Sequence, residues 1–221
     1  MAITLAQTAA PAVAYDNFST DPYTFSAQSI GAAASDRIVV VGVAWGPTND
    51  RALTSMTIGG VAATIIGGSA DGCAIGYAAV PTGTTADIVL DWPYPVQLVG
   101  VSVWRLVGAE SSYSASGAKA YSWTATSALA SAIIIPTDGV GICIIETEAN
   151  VSITWTDATA DSYNHNANGN AMGLGAAHHS TAGSWNPSAS HTGTGTGMYA
   201  VTWAPAAGAG EPGSIYSTIE L

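Results

Sequence analysis

The run Arg37-Ile38-Val39-Val40-Val41-Gly42-Val43-Ala44-Trp45 is apolar on both faces and rich in β-branched residues. Such a segment is satisfied in the middle of a covered sheet and is too short for a surface helix. The turn residues Gly46-Pro47-Thr48-Asn49-Asp50 end it. Before it, Tyr23 to Ile30 alternates bulky and small polar residues as far as Ala27, which predicts a strand with one buried face. After it, Gly59-Gly60 stands between β-branched flanks within Thr54 to Ile66. Two glycines supply the positive φ angles of a primed turn, so a hairpin is expected there. Further strands are expected over 73–80, 86–92 and 96–107, separated by Pro81-Thr82-Gly83-Thr84 and Pro93-Tyr94-Pro95.

The same pattern continues over 121–126, 131–135 and 140–146, with Pro136-Thr137-Asp138-Gly139 as a turn, and Val151 to Trp155 alternates cleanly. At the start, residues 3–7 suit a short strand that Ala9-Ala10-Pro11-Ala12 loosens, so 1–20 reads as an N-terminal strand or arm. From 157 to 196 the chain turns to Asn, Gly, Ser, Thr and His, which predicts a long polar loop region with one strand over 171–178. Strand patterning returns over 198–203 and 214–221. Short strands, frequent turns and no amphipathic helical stretch predict an all-β fold: a two-sheet antiparallel β-sandwich, jelly-roll-like, forming one domain over 21–221.

Composition narrows the function. Hydrophobic residues make up 48% of the 221 and charged residues 9%, so Ser, Thr, Asn, Gly and Ala must cover the exterior. The net charge of -11, against Arg37, Arg51, Arg105 and Lys119 as the cations, opposes nucleic acid and anionic membrane surfaces. Runs such as Ile133 to Ile135 and Gly141 to Ile145 fall far short of the roughly 20 residues that span a bilayer, so no membrane insertion is expected. No Lys or Arg precedes the first apolar residues, so the chain is expected to start in the cytoplasm or to have been processed. Cys73 and Cys143 lie in apolar runs and are expected as buried thiols.

Several stretches together resemble a known module: Tyr23-Thr24-Phe25, Ile30-Gly31, Asp36 to Val41, Met56-Thr57-Ile58-Gly59-Gly60-Val61-Ala62-Ala63-Thr64, Ala74 to Leu90 and Val101 to Gly108. Over most of 20–205 the chain is similar to a β-sandwich module of tailed-bacteriophage and gene-transfer-particle structural proteins. The resemblance implies a virion surface component, made in the host cytoplasm: a head decoration, a spike, a fibre or a tail-associated adhesin. With it go as expected partners copies of the chain itself and other capsid or tail proteins, and a host surface glycan where the exposed loops serve adsorption. No catalytic residue carries over.

The motifs for chemistry are weak. The His-Glu-x-x-His, Gly-x-Ser-x-Gly, phosphate-loop and Cys-x-x-Cys patterns are absent, and Gly193 to Gly197 is a glycine-rich loop without a strand-to-helix context. Asn164-His165-Asn166-Ala167-Asn168-Gly169-Asn170 resembles the start of a calcium loop, but it opens on an amide and has Gly175 where the bidentate Glu belongs. His165, His178, His179 and His191 lack metal-ligand spacing, so no metal and no cofactor is expected. Asp36-Arg37 reads as a solvated or locally paired couple. Asp157 with Asp161, and Glu146 with Glu148, are the close carboxylate pairs a polysaccharide hydrolase would need.

Trp45, Trp104, Trp155 and Trp203 lie in strand patterns and are expected in the core. Trp92 with Tyr94, and Trp185 with Asn186, are expected on loops, where aromatic rings meet sugars or partner subunits. The candidates for partner or glycan contact are therefore Trp92, Tyr94, Tyr163, Asn164, His165, His178, Trp185 and Asn186. The expected function is a non-enzymatic virion surface protein. The alternative is a carbohydrate-binding β-sandwich acting in cell-surface adhesion, with Tyr163, Asn164, Trp185 and Asn186 as its aromatic and amide set.

Overall fold

The computed structural model describes residues 2–15, 20–46, 51–68, 72–122, 126–147, 151–165, 172–193 and 195–207. Among them are nineteen strands and no helix. The first nine are β1 (Thr4–Tyr15), β2 (Tyr23–Ser29), β3 (Ile38–Gly46), β4 (Ser55–Ile58), β5 (Val61–Ala62), β6 (Thr64–Gly67), β7 (Cys73–Ala79), β8 (Thr85–Asp91) and β9 (Leu98–Val107). They are followed by β10 (Ala115–Ser122), β11 (Ser127–Leu129), β12 (Ile133–Ile135), β13 (Val140–Thr147) and β14 (Ile153–Thr156). The last five are β15 (Thr159–His165), β16 (Gly173–His179), β17 (Gly183–Trp185), β18 (Ser188–His191) and β19 (Thr196–Trp203).

Strand β3 is the middle of a five-stranded antiparallel sheet, β1-β9-β3-β7-β6, and all nine of its residues are buried. Its alternation explains why no polar face was needed. Val39, Val41, Val43 and Trp45 pack with Tyr23, Phe25, Met56, Ile58, Ile88 and Leu90 of the four-stranded sheet β2-β8-β4-β5. Ile38, Val40 and Ala44 point the other way, into a core shared with Ile142, Ile144, Leu174 and Val201. Those residues belong to a second five-stranded sheet, β10-β19-β13-β16-β15. From its far face Cys143, Ile145, Met198 and Ala200 meet Ile133, Trp185 and Ala189 of two smaller sheets, β11-β18-β14 and β12-β17. Each large aliphatic side chain buried this way stabilises the fold by about 1.5–3 kcal/mol before the entropy of ordering it.

The chain thus folds as two β-sandwiches back to back, and the two have the same strand plan. Replacing β1, β9, β3, β7 and β6 by β10, β19, β13, β16 and β15 turns the order of one large sheet into that of the other. The outer strands β2, β8 and β4 correspond in the same way to β11, β18 and β14. Where the large sheets touch, β3 lies on β13, β9 on β16, β7 on β19, and β1 beside β15. Exchanging the repeats maps the β9–β16 contact onto β19–β7 and leaves β3–β13 unchanged, which is the signature of a pseudo-twofold axis.

That axis runs along the strands, so corresponding ends of the two repeats share a pole. Gly100, opposite Ala44 near the end of β3, lies so close to Met172 and Leu174 near the end of β13 that a Cβ there would meet them at 3.3 and 3.4 Å. At the other pole the Ile3 N–H donates to the Asp138 carbonyl at 3.2 Å. We call the first pole the crown. From it project 51–54, 92–97, 151–152 and 192–193.

Two expectations change. Residues 4–15 are one strand on the sheet edge, with register shifts between Gln7 and Ala9 and between Ala9 and Ala12. An edge position with an irregularity is where a strand tolerates a residue such as Pro11. Among its described residues, the region 157–196 has strands β15, β16, β17 and β18 at most positions in place of a long polar loop. Its Ser, Ala and Gly residues have weak strand propensity, but β18 is held between β11 and β14, and β16 between β13 and β15. Tertiary pairing overrides propensity there. The Gly59-Gly60 turn has φ of +60° and +78°, as the primed hairpin requires. The strand expected over 214–221 lies outside the described residues.

Candidate functional site

The eight candidate contact residues divide between the two poles. Trp92 and Tyr94 stand at the crown, and the β15 backbone carries Tyr163, Asn164 and His165 toward it, although their side chains lie outside the described set. His178, Trp185 and Asn186 stand toward the opposite pole, on β16, on β17 and just beyond it. Along the strands, the backbone positions of Tyr163 and Asn164 therefore lie toward one pole and Trp185 and Asn186 toward the other. Asn166 to Asn170 of the calcium-like stretch, and Glu148, lie outside the described residues.

Trp92 and Trp185 are corrected from loop-borne contacts to core residues, at 2% and 0% exposed. Trp92 continues the inward alternation of Ile88 and Leu90, and its ring packs edge-to-face on Trp45 at 5.6 Å and on Tyr23 at 5.9 Å. Trp185 donates its indole N–H to the Asp157 carbonyl at 2.6 Å and stacks on His179 at 5.8 Å. An indole buries more apolar area than a short strand end can leave in water, so each folds under the adjoining sheet. Trp45, Trp104 and Trp203 are fully buried, and Trp155 is half-buried against the outer core.

The buried Trp92 anchors the base of the crown loop. Its backbone N–H donates to Asp21 Oδ1 at 3.3 Å, and the Tyr23 hydroxyl donates to the Val96 carbonyl at 2.5 Å. Burial, opposed by the Trp92 N–H and reinforced by the Asp91 charge, raises the Asp21 carboxyl above its usual range. Between these anchors Tyr94 stands 68% exposed between Pro93 and Pro95. The Arg51 guanidinium carbon lies 5.9 Å from the centre of its ring. This is an exposed aromatic surface on a loop whose base is tied into the core.

A second polar cluster joins the repeats. Asp161 accepts the Trp104 indole N–H at 2.9 Å with one oxygen, and with the other holds His178 Nδ1 at 2.6 Å. The hydrogen bond to Asp161 raises the His178 pKa, with burial opposing and the Asp161 charge adding to it. Nearby, Gln7 of β1 donates to the Ser162 hydroxyl of β15. Both Asp161 oxygens are engaged, so this carboxylate fastens one repeat to the other. Among the described residues no three His, Cys, Asp or Glu side chains assemble to hold a metal ion.

The Asp36-Arg37 couple also differs from expectation. Asp36 remains exposed and accepts the Gly108 N–H at 2.8 Å, whereas Arg37 is 1% exposed. Its guanidinium donates to the carbonyls of Val80 at 2.6 Å, Thr82 at 2.5 Å, Gly31 at 2.7 Å, Gly83 at 3.0 Å and Ile30 at 3.4 Å. Burial, and then the Arg105 charge, lower its pKa. Alternation predicted a strand entrance here; that two turns would wrap carbonyls around the side chain has no local signal. Both cysteines are buried as thiols, and burial, with a smaller effect of Asp161, pushes Cys143 well up.

No protein-family model, no curated protein and no solved structure matches the chain.

Proposed function

We propose that this protein is a non-enzymatic structural component of a tailed-phage particle, displayed on its surface as a decoration, spike or fibre subunit. The observation that carries the reading is the polarity of the molecule. Crown loops from both repeats leave one pole. At the other, the Ala206 N–H donates to the Gly108 carbonyl at 2.7 Å, and a Cβ on Gly108 would lie 3.6 Å from the Ala2 carbonyl oxygen. On this reading the crown is the presented end and the opposite pole the held one. The resemblance of its strand motifs and its low-charge, Ser- and Thr-rich composition support the same reading. Its partners are then copies of itself and capsid or tail proteins. Mass spectrometry of purified particles tests this, with antibodies against 92–97 expected to label intact particles by electron microscopy. Particles that lack the chain would end the proposal.

A second reading is favoured by Tyr94, whose exposed ring is held ready to stack on a sugar. On it the crown binds a host surface glycan, either on the particle or as a free module. A glycan array and host-cell binding, compared between the native chain and Tyr94→Ala, separate the two readings. Binding that the substitution abolishes supports the second; no hit on either surface removes it.

A further inference from the structure

The pseudo-twofold relation allows the two sandwiches to be compared position by position, and at one place their chemistry is opposite. At the crown end of the first repeat, Trp45 of β3 pairs with Val99 of β9, and Trp92 follows β8; all three are buried and apolar. The equivalent positions of the second repeat are Thr147 of β13, Thr196 of β19 and His191 of β18. Thr147 continues the alternation of Cys143 and Ile145, Thr196 that of Met198 and Ala200, and His191 that of Ala189. All three therefore face the interior between the large sheet and β11-β18-β14. They are buried, at 0%, 0% and 7% exposed.

Two indoles fill this place in the first repeat; a hydroxyl and an imidazole stand there in the second. His191 Nδ1, His191 Nε2 and Thr196 Oγ1 are each shielded from solvent and find no hydrogen-bond partner among the described residues. The indole N–H groups of Trp45 and Trp92 are also unpartnered, but each is one donor on a large apolar ring. An imidazole offers polar atoms on two sides. His191 cannot easily turn outward, because its backbone is paired with Ile153 across the ladder and its N–H donates to the Thr126 carbonyl at 2.9 Å.

We propose that Thr147, His191 and Thr196 form a buried binding site in the second repeat for a small neutral hydroxyl group. The first repeat closes the same site with Trp45 and Trp92. Burial lowers the His191 pKa; the Gly193 backbone acts in the opposite sense without reaching hydrogen-bond geometry with either nitrogen. The ring is then neutral at physiological pH, with one nitrogen donating and the other accepting. A hydroxyl both accepts and donates, so it complements the imidazole and the Thr196 hydroxyl together. None of the three side chains is a carboxylate for a cation or a cation for an anion. The chemistry is shared by two sources: an ordered internal water, and a hydroxyl of a saccharide reaching in from the crown. The site does not depend on where the protein is displayed.

The test is NMR of the full chain, following the His191 ring nitrogens and their cross-relaxation with water, alone and with glucose, galactose and N-acetylglucosamine. A long-lived water contact to the His191 ring that no sugar changes, and that Thr196→Val removes while the sheet signals persist, assigns the hydroxyl to water. A saturable shift of the His191 nitrogens with one sugar, and loss of the water contact, assigns it to the saccharide. No water contact in the native chain and no shift with any of the three sugars overturns the proposal, whatever the stability of Thr196→Val.

Discussion

Trp104 of the first repeat donates its indole N–H to Asp161 of the second at 2.9 Å, and this bond crosses the face on which the two sandwiches meet. Its partner carboxylate is only 9% exposed, so removing the donor leaves a nearly buried acceptor short of one hydrogen bond. Trp104→Phe is expected to destabilise the protein by about 1–3 kcal/mol, beyond what its lost area explains. Urea unfolding of Trp104→Phe, Asp161→Asn and the double variant measures it. A coupling energy near zero in that cycle would remove the seam role of this pair.

The two central histidines are expected to act on stability with opposite signs. His178 has a folded pKa raised by Asp161, so its contribution is complete below the unfolded value of about 6.5 and is lost as pH rises through the folded value. His191 has a folded pKa lowered by burial, so its contribution is complete above the unfolded value and is lost as pH falls through the folded one. Urea midpoints between about pH 5 and 8 should show His178→Gln losing most at the acid end. His191→Gln should be relieved of the acid-side loss. Parallel profiles for both variants and the native chain would contradict this.

Arg37 is expected to be the most sensitive cation in the fold. Arg37→Leu strands the carbonyls of Ile30, Gly31, Val80, Thr82 and Gly83 together, and a loss of about 3 kcal/mol or more follows. Arg37→Lys should recover only part of it, since an ammonium lacks the planar fork that reaches two turns at once. Equal stability of the Lys and native proteins by denaturant titration would refute the clamp.

Glycine substitutions should separate the repeat interface from the sandwich interior. A Cβ on Gly42 would lie 2.5 Å from Ile144 Cγ2 and 3.1 Å from the Trp104 ring, against a branched side chain and a fused ring that cannot yield. Gly42→Ala is expected to cost about 1–3 kcal/mol. A Cβ on Gly76 meets the Met56 sulfur and methyl, the far end of a flexible chain, so Gly76→Ala should cost clearly less. Thermal melts of the two variants side by side decide it.

Neighbouring aromatics at the crown should behave differently. Trp92→Ala empties a fully packed site and is expected to cost about 3–5 kcal/mol. Tyr94→Ala removes a ring 68% exposed and should leave stability within about 0.5 kcal/mol. Any loss of particle or glycan binding by Tyr94→Ala is then a loss of contact rather than of fold.

Much of the architecture was legible along the chain because its signals are local. Val39 to Val43 could be satisfied only by cover on both faces, and Gly59-Gly60 only by a turn with positive φ, so the central strand and the hairpin follow from residue chemistry alone. The all-β class follows from the same alternation. The candidate site was less legible. Of the two aromatic loop sets, Tyr94 and Asn186 are exposed whereas Trp92 and Trp185 are interior, because burial depends on what a neighbouring sheet places above a residue.

The sequence by itself determined which segments must be strands and which faces must be covered, since periodicity and β-branching act within a few residues. Only the tertiary structure decided what does the covering. It paired β18 and β16 despite their weak propensity, set β3 against β13, and placed two equivalent sandwiches about one axis. The shared strand plan is carried by backbone pairing and buried shape, which different side chains satisfy: Trp45, Trp92 and Val99 in one repeat, Thr147, His191 and Thr196 in the other. Hydrogen-bonded ladders constrain where a side chain points, but not its chemistry.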